Sequence, residues 1–365
     1  WLKVLCWWQP RLQRLALIIA AVCGIMSHEE IHMLPGQRDA ILEELRTCDQ
    51  EANSACAKND QLNYLSALER GLHLRRKLYI EASHEVSQAC RNLCQACNQA
   101  ATTMLNEDNL KGAIDLLKRA EEVADRHELD RAVTWNNLAC YYRRTGKLRA
   151  ALTYLERALA IEVNAGGADA AQTHLNLCAT LSQLQRHSEA LVHAQNALIR
   201  IYETLSRFML SGKLAIPAEG HEVAEEQQEQ VTVLCVAYHN LAVEQEYLKN
   251  IEGAASSYAE GLGWAVRFLP VGHQLHEVMR KSLAAVCDRL PATSRARARV
   301  DAMLADLAQP TPVDGGHLVR GDKSDLADPS DRMSHRSQAR EGTPQNGRPT
   351  SRGPLEEWLT PRADG

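Results

Sequence analysis

Aromatic residues are scarce in this chain of 365 residues, since they make up 5% of it and only two are Phe. Large β-sandwiches and barrels normally contain more aromatic and β-branched residues, so the composition argues against such a fold. Proline is also rare in the middle of the chain. Between Gly36 and Gln309 only Pro217, Pro270 and Pro291 occur. Because proline is excluded from helix interiors, this stretch permits long helices, and it is rich in residues that favour them.

An excess of basic charge is missing as well. The chain has 41 Lys and Arg residues against 46 Asp and Glu residues, a net charge of −5. Proteins that bind nucleic acid normally present a basic surface to the phosphates, so no nucleic-acid partner is expected. The phosphate-binding loop, the G-x-S-x-G motif and the G-x-G-x-x-G motif are absent. Because no nucleophile–base arrangement is visible, we expect a protein that is not an enzyme and uses no cofactor or metal.

Residues 1–35 contain a short apolar segment, Leu15–Met26, that follows three basic residues. This is the layout of a signal peptide, although twelve residues are too few for a helix that spans a bilayer. Three interpretations stay open. Residues 15–26 are a signal or anchor, or Met26 is the true start and the upstream stretch is mis-annotated, or the segment is a packed N-terminal helix.

Cysteine usage favours a reducing compartment. Nine cysteines follow Met26, and most lie within apolar helical patterns. A secreted disulfide framework would be even in number and concentrated in a shorter chain. We therefore expect a cytoplasmic location, with association to the cytoskeleton or a cilium as an open alternative. Secretion, or contact with a membrane, would require that residues 15–26 are a genuine signal or anchor.

A repeated pattern runs through the middle of the chain. Its clearest copy starts at Trp135; further copies follow 39 residues later and another 64 residues on, and one lies 38 residues earlier. Each copy has an amphipathic first segment, a short polar turn, and a second segment in which small residues alternate with larger apolar ones. Such helix pairs must stack, because no pair buries its apolar face alone. The predicted repeat-core residues are Trp135, Leu138, Ala139, Tyr142, Ala151, Ala158, Leu177, Ala190, Ala197, Leu241, Ala254 and Tyr258.

The pattern predicts an all-α solenoid of about five antiparallel helix pairs over residues 36–290, with a terminal helix at 291–309. The tail 310–365 holds seven of the twelve prolines and few large apolar residues. Since such a segment cannot bury enough surface to offset its ordering entropy, we expect it to be disordered. The five pairs and a capping helix are predicted at 38–78, 85–126, 131–163, 170–205, 222–268 and 273–290.

The repeat resembles the tetratricopeptide repeat family. That family's pattern is met best in the third unit, which starts at Trp135, although Ala139 replaces a Gly and Val163 stands where a Pro would close the unit. Spacings of 38–39 residues, and the segments Asn136–Ala139 and Ala158–Glu162, are similar to the kinesin-light-chain style of repeat. The resemblance covers about 230 residues. It implies a right-handed solenoid that binds other proteins.

In such a solenoid the first helices line a concave wall, and Asn137, Asn176 and Asn240 hold the same repeat position on them. A carboxamide offers a donor and an acceptor, so a ladder of them could bond the backbone of an extended peptide, a role that the resemblance supports. The open alternative is that these residues cap or bridge neighbouring helices. Arg143 and Arg144 could pair with an acidic partner residue or form a solvated turn. The predicted peptide-binding residues are Asn98, Gln99, Asn137, Cys140, Arg143, Arg144, Asn176, Asn240 and Val243.

Two other functions stay open. The chain could be a structural part of a cytoskeletal or ciliary assembly that binds along its convex face, with cytoskeletal or motor-associated partners. In addition, Cys90, Cys94 and Cys97 have the spacing of an iron–sulfur cluster site, but the same spacing places them on one apolar helix face. Packed thiols are therefore expected there, and a cluster or other metal site is the remote alternative.

One apolar patch interrupts the polar tail. Leu355, Trp358 and Leu359 stand at i, i+3 and i+4, the spacing of a helix that folds onto a groove. This segment could bind a partner or the chain's own repeats, or it could be a chance cluster. Taken together, the sequence predicts a non-catalytic adaptor or scaffold that binds a peptide segment of another protein in its concave face.

Overall fold

A computed structural model describes residues 34–124, 128–166, 170–210 and 224–308. Within these ranges the chain forms twelve α-helices and no strand. The apolar segment at 15–26, most of the insert between units four and five, and the tail with Trp358 lie outside the described residues. The helices are α1 (Pro35–Ala57), α2 (Gln61–Leu78), α3 (His84–Asn106), α4 (Leu110–Ala124), α5 (Glu128–Arg144), α6 (Leu148–Asn164), α7 (Ala171–Gln183), α8 (His187–Leu210), α9 (Glu225–Tyr247), α10 (Ile251–Phe268), α11 (Gln274–Cys287) and α12 (Arg295–Ala308).

The first ten helices form five pairs. In each pair the two helices pack along one another, and the second helix also packs against the first helix of the next pair. Helix α11 follows the last pair, and both α11 and α12 pack against α10. The predicted fold, an all-α right-handed solenoid of about five antiparallel helix pairs, is confirmed in the described part of the chain.

The same turn closes all five pairs. Three residues separate the first helix from the second each time, and the middle one has a positive φ: Asn59, Asp108, Gly146, Gln185 and Lys249. In the third pair the N–H of Lys147 donates to the carbonyl of Tyr142 at 2.8 Å, and the other four turns have the equivalent bond at 2.8–2.9 Å. This is the hydrogen bond of a Schellman motif, which satisfies carbonyls that the helix end leaves open.

Small residues lie where helices of a pair cross. Ala151, Ala158, Ala190, Ala197 and Ala254 are fully buried. A small side chain lets two helix axes approach closely, while larger neighbours such as Leu138, Leu177 and Tyr258 fill the adjoining space. Ten of the twelve predicted repeat-core residues are buried, and the other two, Trp135 and Tyr142, are half-buried.

The aromatic ring of Trp135 lies at the boundary of two pairs. Its Nε1–H donates to Glu121 at 2.9 Å, and the guanidinium of Arg131 lies 5.2 Å from the ring centre. Tyr142 stacks on Tyr154 with ring centres 5.4 Å apart. Trp135 therefore combines packing with a polar and a charged contact, and the ammonium of Lys147 lies 5.9 Å from the ring centre of Tyr142.

The solenoid contains one core that is larger than the others. It runs without interruption from α7 to α12, whereas the pair α1–α2 shares a small cluster formed by Leu45, Cys48, Leu74 and Leu78. Among the described helices, none is both long and apolar enough to cross a membrane.

Candidate functional site

The first helices of successive pairs build one continuous wall. Helix α3 contacts α5, α5 contacts α7, α7 contacts α9, and α9 contacts α11. The second helices lie behind this row, each against the first helix of the following pair. Because the first helices lie closer together than the second helices, the row forms the inner, concave side of the stack.

On this wall α3 and α5 are joined by carboxamide hydrogen bonds. The Nδ2 group of Asn137 donates to Oδ1 of Asn98 at 3.0 Å, and Nδ2 of Asn98 donates to Oγ1 of Thr134 at 2.9 Å. All three residues are buried. The structure therefore shows Asn137 in a hydrogen-bonded bridge to Asn98 on the neighbouring first helix.

Helices α5 and α7 are joined in the same way by the adjacent residue, Asn136. Its Oδ1 accepts from Nδ2 of Asn176 at 3.3 Å, and its Nδ2 donates to Oγ1 of Thr173. Thr173 in turn donates to the buried carboxylate of Glu162 on α6 at 3.0 Å. Asn137 thus points back to α3 and Asn136 points forward to α7, so two consecutive residues connect three pairs.

The nine predicted peptide-binding residues fall into three groups in the structure. The Arg143 side chain is half-buried, and the equally half-buried Arg144 donates to the carbonyl of Leu105 at the end of α3. Gln99 is exposed on α3. Six lie inside the stack: Asn98, Asn137, Cys140, Asn176, Asn240 and Val243. Contact between these residues and a peptide remains a prediction.

Burial increases along the wall at equivalent repeat positions. At one position Gln99 is exposed on α3, Asn137 is 5% exposed on α5, and Asn176 and Asn240 are 1% and 0% exposed on α7 and α9. Three residues further on, the series Thr102, Cys140, Ala179 and Val243 has exposures of 8%, 8%, 1% and 0%. At the first position the side chain is therefore exposed on α3 and buried from α5 onward, and at the second position it is buried on all four helices.

Two pairs of titratable side chains lie in the part of the stack formed by α7, α8 and α9. Nδ1 of His174 lies 2.9 Å from Nδ1 of His193, and burial, with a smaller contribution from His193, lowers the pKa of His174 to about 4. Burial likewise lowers the pKa of His193. Both rings are therefore neutral at pH 7, and the Nδ1–H of one ring donates a hydrogen bond to Nδ1 of the other.

The second pair joins α8 to α9. Nδ1 of His187 lies 2.8 Å from Oε2 of Glu244, whose side chain is fully buried, and the His187 ring stacks on Tyr247 at 3.9 Å. Burial raises the pKa of Glu244, although hydrogen bonds from Ser182 and His187 act in the opposite direction. Sequence reasoning missed this contact because His187 and Glu244 are 57 residues apart.

The three cysteines with cluster-like spacing lie on α3 as buried thiols outside any disulfide. Burial raises the pKa of Cys94 to about 11 and that of Cys97 to about 12. Because a thiol binds iron or zinc as the thiolate, these pKa values act against a metal site. Over the described ranges, no three His, Cys, Asp or Glu side chains are grouped so that they could hold a metal ion.

The sequence also contains a motif that the sequence analysis missed. Residues 28–32 read His-Glu-Glu-Ile-His, which has the H-E-x-x-H spacing of zinc proteases. The motif lies outside the described residues.

No protein-family model matches the chain. No curated protein matches it either. Among solved structures it is similar to BtubC (BKLC) from P. vanneervenii, with 18% identity, coverage of 78% of this chain and 99% of that chain, and a TM-score of 0.42. It is also similar to a Rap protein complexed with Competence and Sporulation Factor, with 14% identity, coverage of 74% and 80%, and a TM-score of 0.36. A third is a putative kinesin light chain of Podospora anserina with nearly identical TPR-like repeats, with 16% identity, coverage of 60% and 96%, and a TM-score of 0.31.

The class of the protein is defined by its own helix pairs. The pairs share one type of turn and small residues where their helices cross, and their first helices together form one concave wall. It is an all-α solenoid of tetratricopeptide-like repeats.

Proposed function

We propose that this protein is a non-catalytic interaction scaffold that binds an extended segment of a partner protein along its concave wall. The row of first helices supplies a continuous surface across at least four pairs. In the described part none of the nine cysteines forms a disulfide, which supports a reducing, cytoplasmic location.

The observation that carries this proposal is an unused hydrogen-bond acceptor on the wall. Among the residues that the structure describes, the buried Oδ1 of Asn176 has no hydrogen-bond donor, although the Nδ2 group of the same side chain donates to Asn136. A buried acceptor without a donor costs about 1–3 kcal/mol. A backbone N–H of a bound peptide would remove that cost, which is the contact expected from the carboxamide ladder.

The proposal can be tested with a random peptide library displayed on phage and selected against the full chain. The tightest peptide is then measured with wild-type protein and with Asn176→Ala by fluorescence anisotropy. We expect the variant to bind at least tenfold more weakly, which corresponds to about 1.4 kcal/mol.

The matched control is Asn136→Ala. It removes the partner of Asn176 within the same buried network, so both variants should lose stability, but it leaves the acceptor of Asn176 in place. Its peptide affinity should stay within threefold of wild type. Equal losses in both variants would show that the carboxamides act only in folding, and failure to select any peptide would overturn the proposal.

A specific observation also favours the alternative, a structural part of a larger assembly that is bound along the convex face. On α8 the side chains of Val192, Ile199 and Tyr202 are 52%, 53% and 38% exposed and lie on one side of the helix. Helix α8 is a second helix, behind the concave wall, so this stripe faces away from the proposed groove. If this function applies, the double variant V192K/I199K should leave the insoluble cytoskeletal fraction. The variant Asn176→Ala should stay in that fraction.

A further inference from the structure

A cleft separates the first helix of the stack from the row that follows. From α3 onward each first helix contacts the next, whereas α1 packs against α2 and has no comparable contact with α3. The cleft between α1 and α3 has a volume of about 250 Å³, and residues of α2 also line it. Because the second helices lie behind the row, a cleft between two first helices opens toward the concave side.

The cleft has the size and lining of a site for one long side chain. Pockets that enclose a whole small molecule typically measure about 300–1,000 Å³, so this cleft is smaller than such a pocket. Leu68 of α2 and Ala89 of α3 supply aliphatic groups, against which the methylene groups of a long side chain can pack. The rest of the lining is polar or charged: Asp49, Arg75, His84, Glu85, Gln88 and Asn92.

Four of these polar side chains are paired with one another. Nη2 of Arg75 donates to Oδ1 and Oδ2 of Asp49 at 2.9 and 2.8 Å, so these two charges balance. Nε2 of Gln88 donates to Oδ1 of Asn92 at 2.8 Å. Both contacts hold lining side chains in place, and neither involves Glu85.

Glu85 carries the charge of the cleft that these contacts leave unbalanced. Among the residues that the structure describes, its buried Oε2 atom has no hydrogen-bond donor. Glu85 stands in the first turn of α3, where the helix dipole favours a negative charge but leaves this oxygen without a donor. A cationic N–H group from a ligand would pair with the charge and donate to the oxygen, which is the stronger kind of hydrogen bond.

We propose that this cleft is a binding site for the cationic side chain of an arginine or lysine residue. Glu85 is the charge partner of that side chain, and Leu68 and Ala89 contact its methylene groups. Use of the site by a peptide partner rests on the proposed function, whereas binding of the side chain itself does not.

A polar stripe on α3 leads away from the cleft and suits the backbone of a peptide that carries such a residue. Its four carboxamide side chains follow at i, i+4, i+7 and i+11 and so share one helix face: Gln88, Asn92, Gln95 and Gln99. Three of them are exposed, and Asn92 is half-buried. From Glu85 to Gln99 the helix rises about 21 Å, which corresponds to about six residues of an extended peptide.

The first experiment tests the cleft with a small probe. Arginine amide, or citrulline amide, is mixed with the full chain, and saturation-transfer NMR measures the signal of the side-chain methylene protons. Citrulline has nearly the shape of arginine but no charge. We expect a signal from arginine amide with the wild type that is roughly fivefold or more above the signal from citrulline amide.

The variants for this experiment are Glu85→Gln and, as a matched control, Glu44→Gln. The control removes an exposed carboxylate of α1 that does not line the cleft. With E85Q the signal of arginine amide should fall to that of citrulline amide, while E44Q should behave as wild type. Equal signals from the two amides, equal signals with wild type and E85Q, or no signal at all would each overturn the proposal.

The second experiment links the cleft to a peptide. The tightest peptide from the phage selection should contain an arginine or lysine. Replacing that residue by citrulline or norleucine should weaken binding to wild type at least tenfold, or about 1.4 kcal/mol, as measured by anisotropy. With E85Q as the protein, the same replacement should change the affinity less than threefold, because the charge partner is already missing.

The outcomes separate this inference from the proposed function. A selected peptide that depends on Asn176 but on no basic residue would overturn the inference and leave the proposed function in place. A signal from arginine amide that E85Q removes, together with no selected peptide, would support the site in the cleft and overturn the proposed function.

Discussion

At the scale of single residues, the direction of a side chain decides its role. Asn137 and Asn176 hold the same repeat position in the sequence. In the structure Asn137 forms a hydrogen bond with Asn98 on the preceding first helix. Asn176 forms one with Asn136, the residue next to Asn137. Partners of this kind are 39 and 40 residues away along the chain. Only the distance between packed helices selects these partners, so the sequence left helix bridging open as an alternative to peptide contact.

A titration prediction belongs to the same scale. The pKa of His174 is about 4 in the folded protein, whereas an exposed histidine ring has a pKa of about 6.5. Since the unfolded chain takes up the proton first, stability is lost as the pH falls from about 6.5 toward 4. At pH 5 this histidine should cost about 2 kcal/mol relative to pH 7.

The measurement compares urea midpoints at pH 7 and pH 5 for wild type and for His174→Tyr, which introduces the residue found at the equivalent position as Tyr238. The variant should lose clearly less stability on acidification. His73→Tyr, at an exposed site, is the control and should behave as wild type. Identical pH dependence in all three proteins would contradict the assignment of a neutral buried ring at His174.

At the scale of elements, the five turns have one backbone conformation but different sequences. Gly146 is a residue that tolerates a positive φ without strain, and its presence made the third turn visible in the sequence. In the other four turns Asn59, Asp108, Gln185 and Lys249 take the same conformation. The sequence could predict these turns from the helical periods around them, but it gave no sign of their shared geometry.

This geometry predicts a stabilising substitution. Lys249 is exposed and has a φ of 63°, a conformation that costs a residue with a Cβ about 1 kcal/mol. Lys249→Gly should therefore raise the free energy of unfolding by about 0.5–1 kcal/mol after the entropy of the glycine in the unfolded chain is counted. Lys249→Ala retains the Cβ and should show no gain. A loss of stability in the glycine variant, measured by chemical denaturation, would contradict the prediction.

At the scale of the whole molecule, the stack is a linear array with an uneven core. The cluster from α7 to α12 includes buried residues of every one of these helices, among them the large side chains of Tyr258, Leu262 and Met279, while α1 and α2 share a small cluster. Because each pair is stabilised mainly by its neighbours, an end pair with a small core should open by itself.

Hydrogen exchange measured by mass spectrometry tests this. Amides in α1 and α2 should exchange at least tenfold faster than those in α9 and α10 at pH 7 without denaturant. Low concentrations of urea should increase the difference, since the end pair unfolds first. Uniform protection from α1 to α10 would indicate a single cooperative unit and would contradict the linear-array description.

The sequence by itself determined the fold, because helix pairs with apolar faces and small crossing residues recur in one pattern and have no means of burying those faces except by stacking. It also determined most of the buried repeat-core residues. The tertiary structure alone decided which carboxamides form hydrogen bonds with one another and which residues of each first helix are buried. It also decided that His187 contacts the buried Glu244. The reason is physical: periodicity defines a helix face, whereas hydrogen-bond partners and side-chain burial depend on distances between helices that are far apart in the chain.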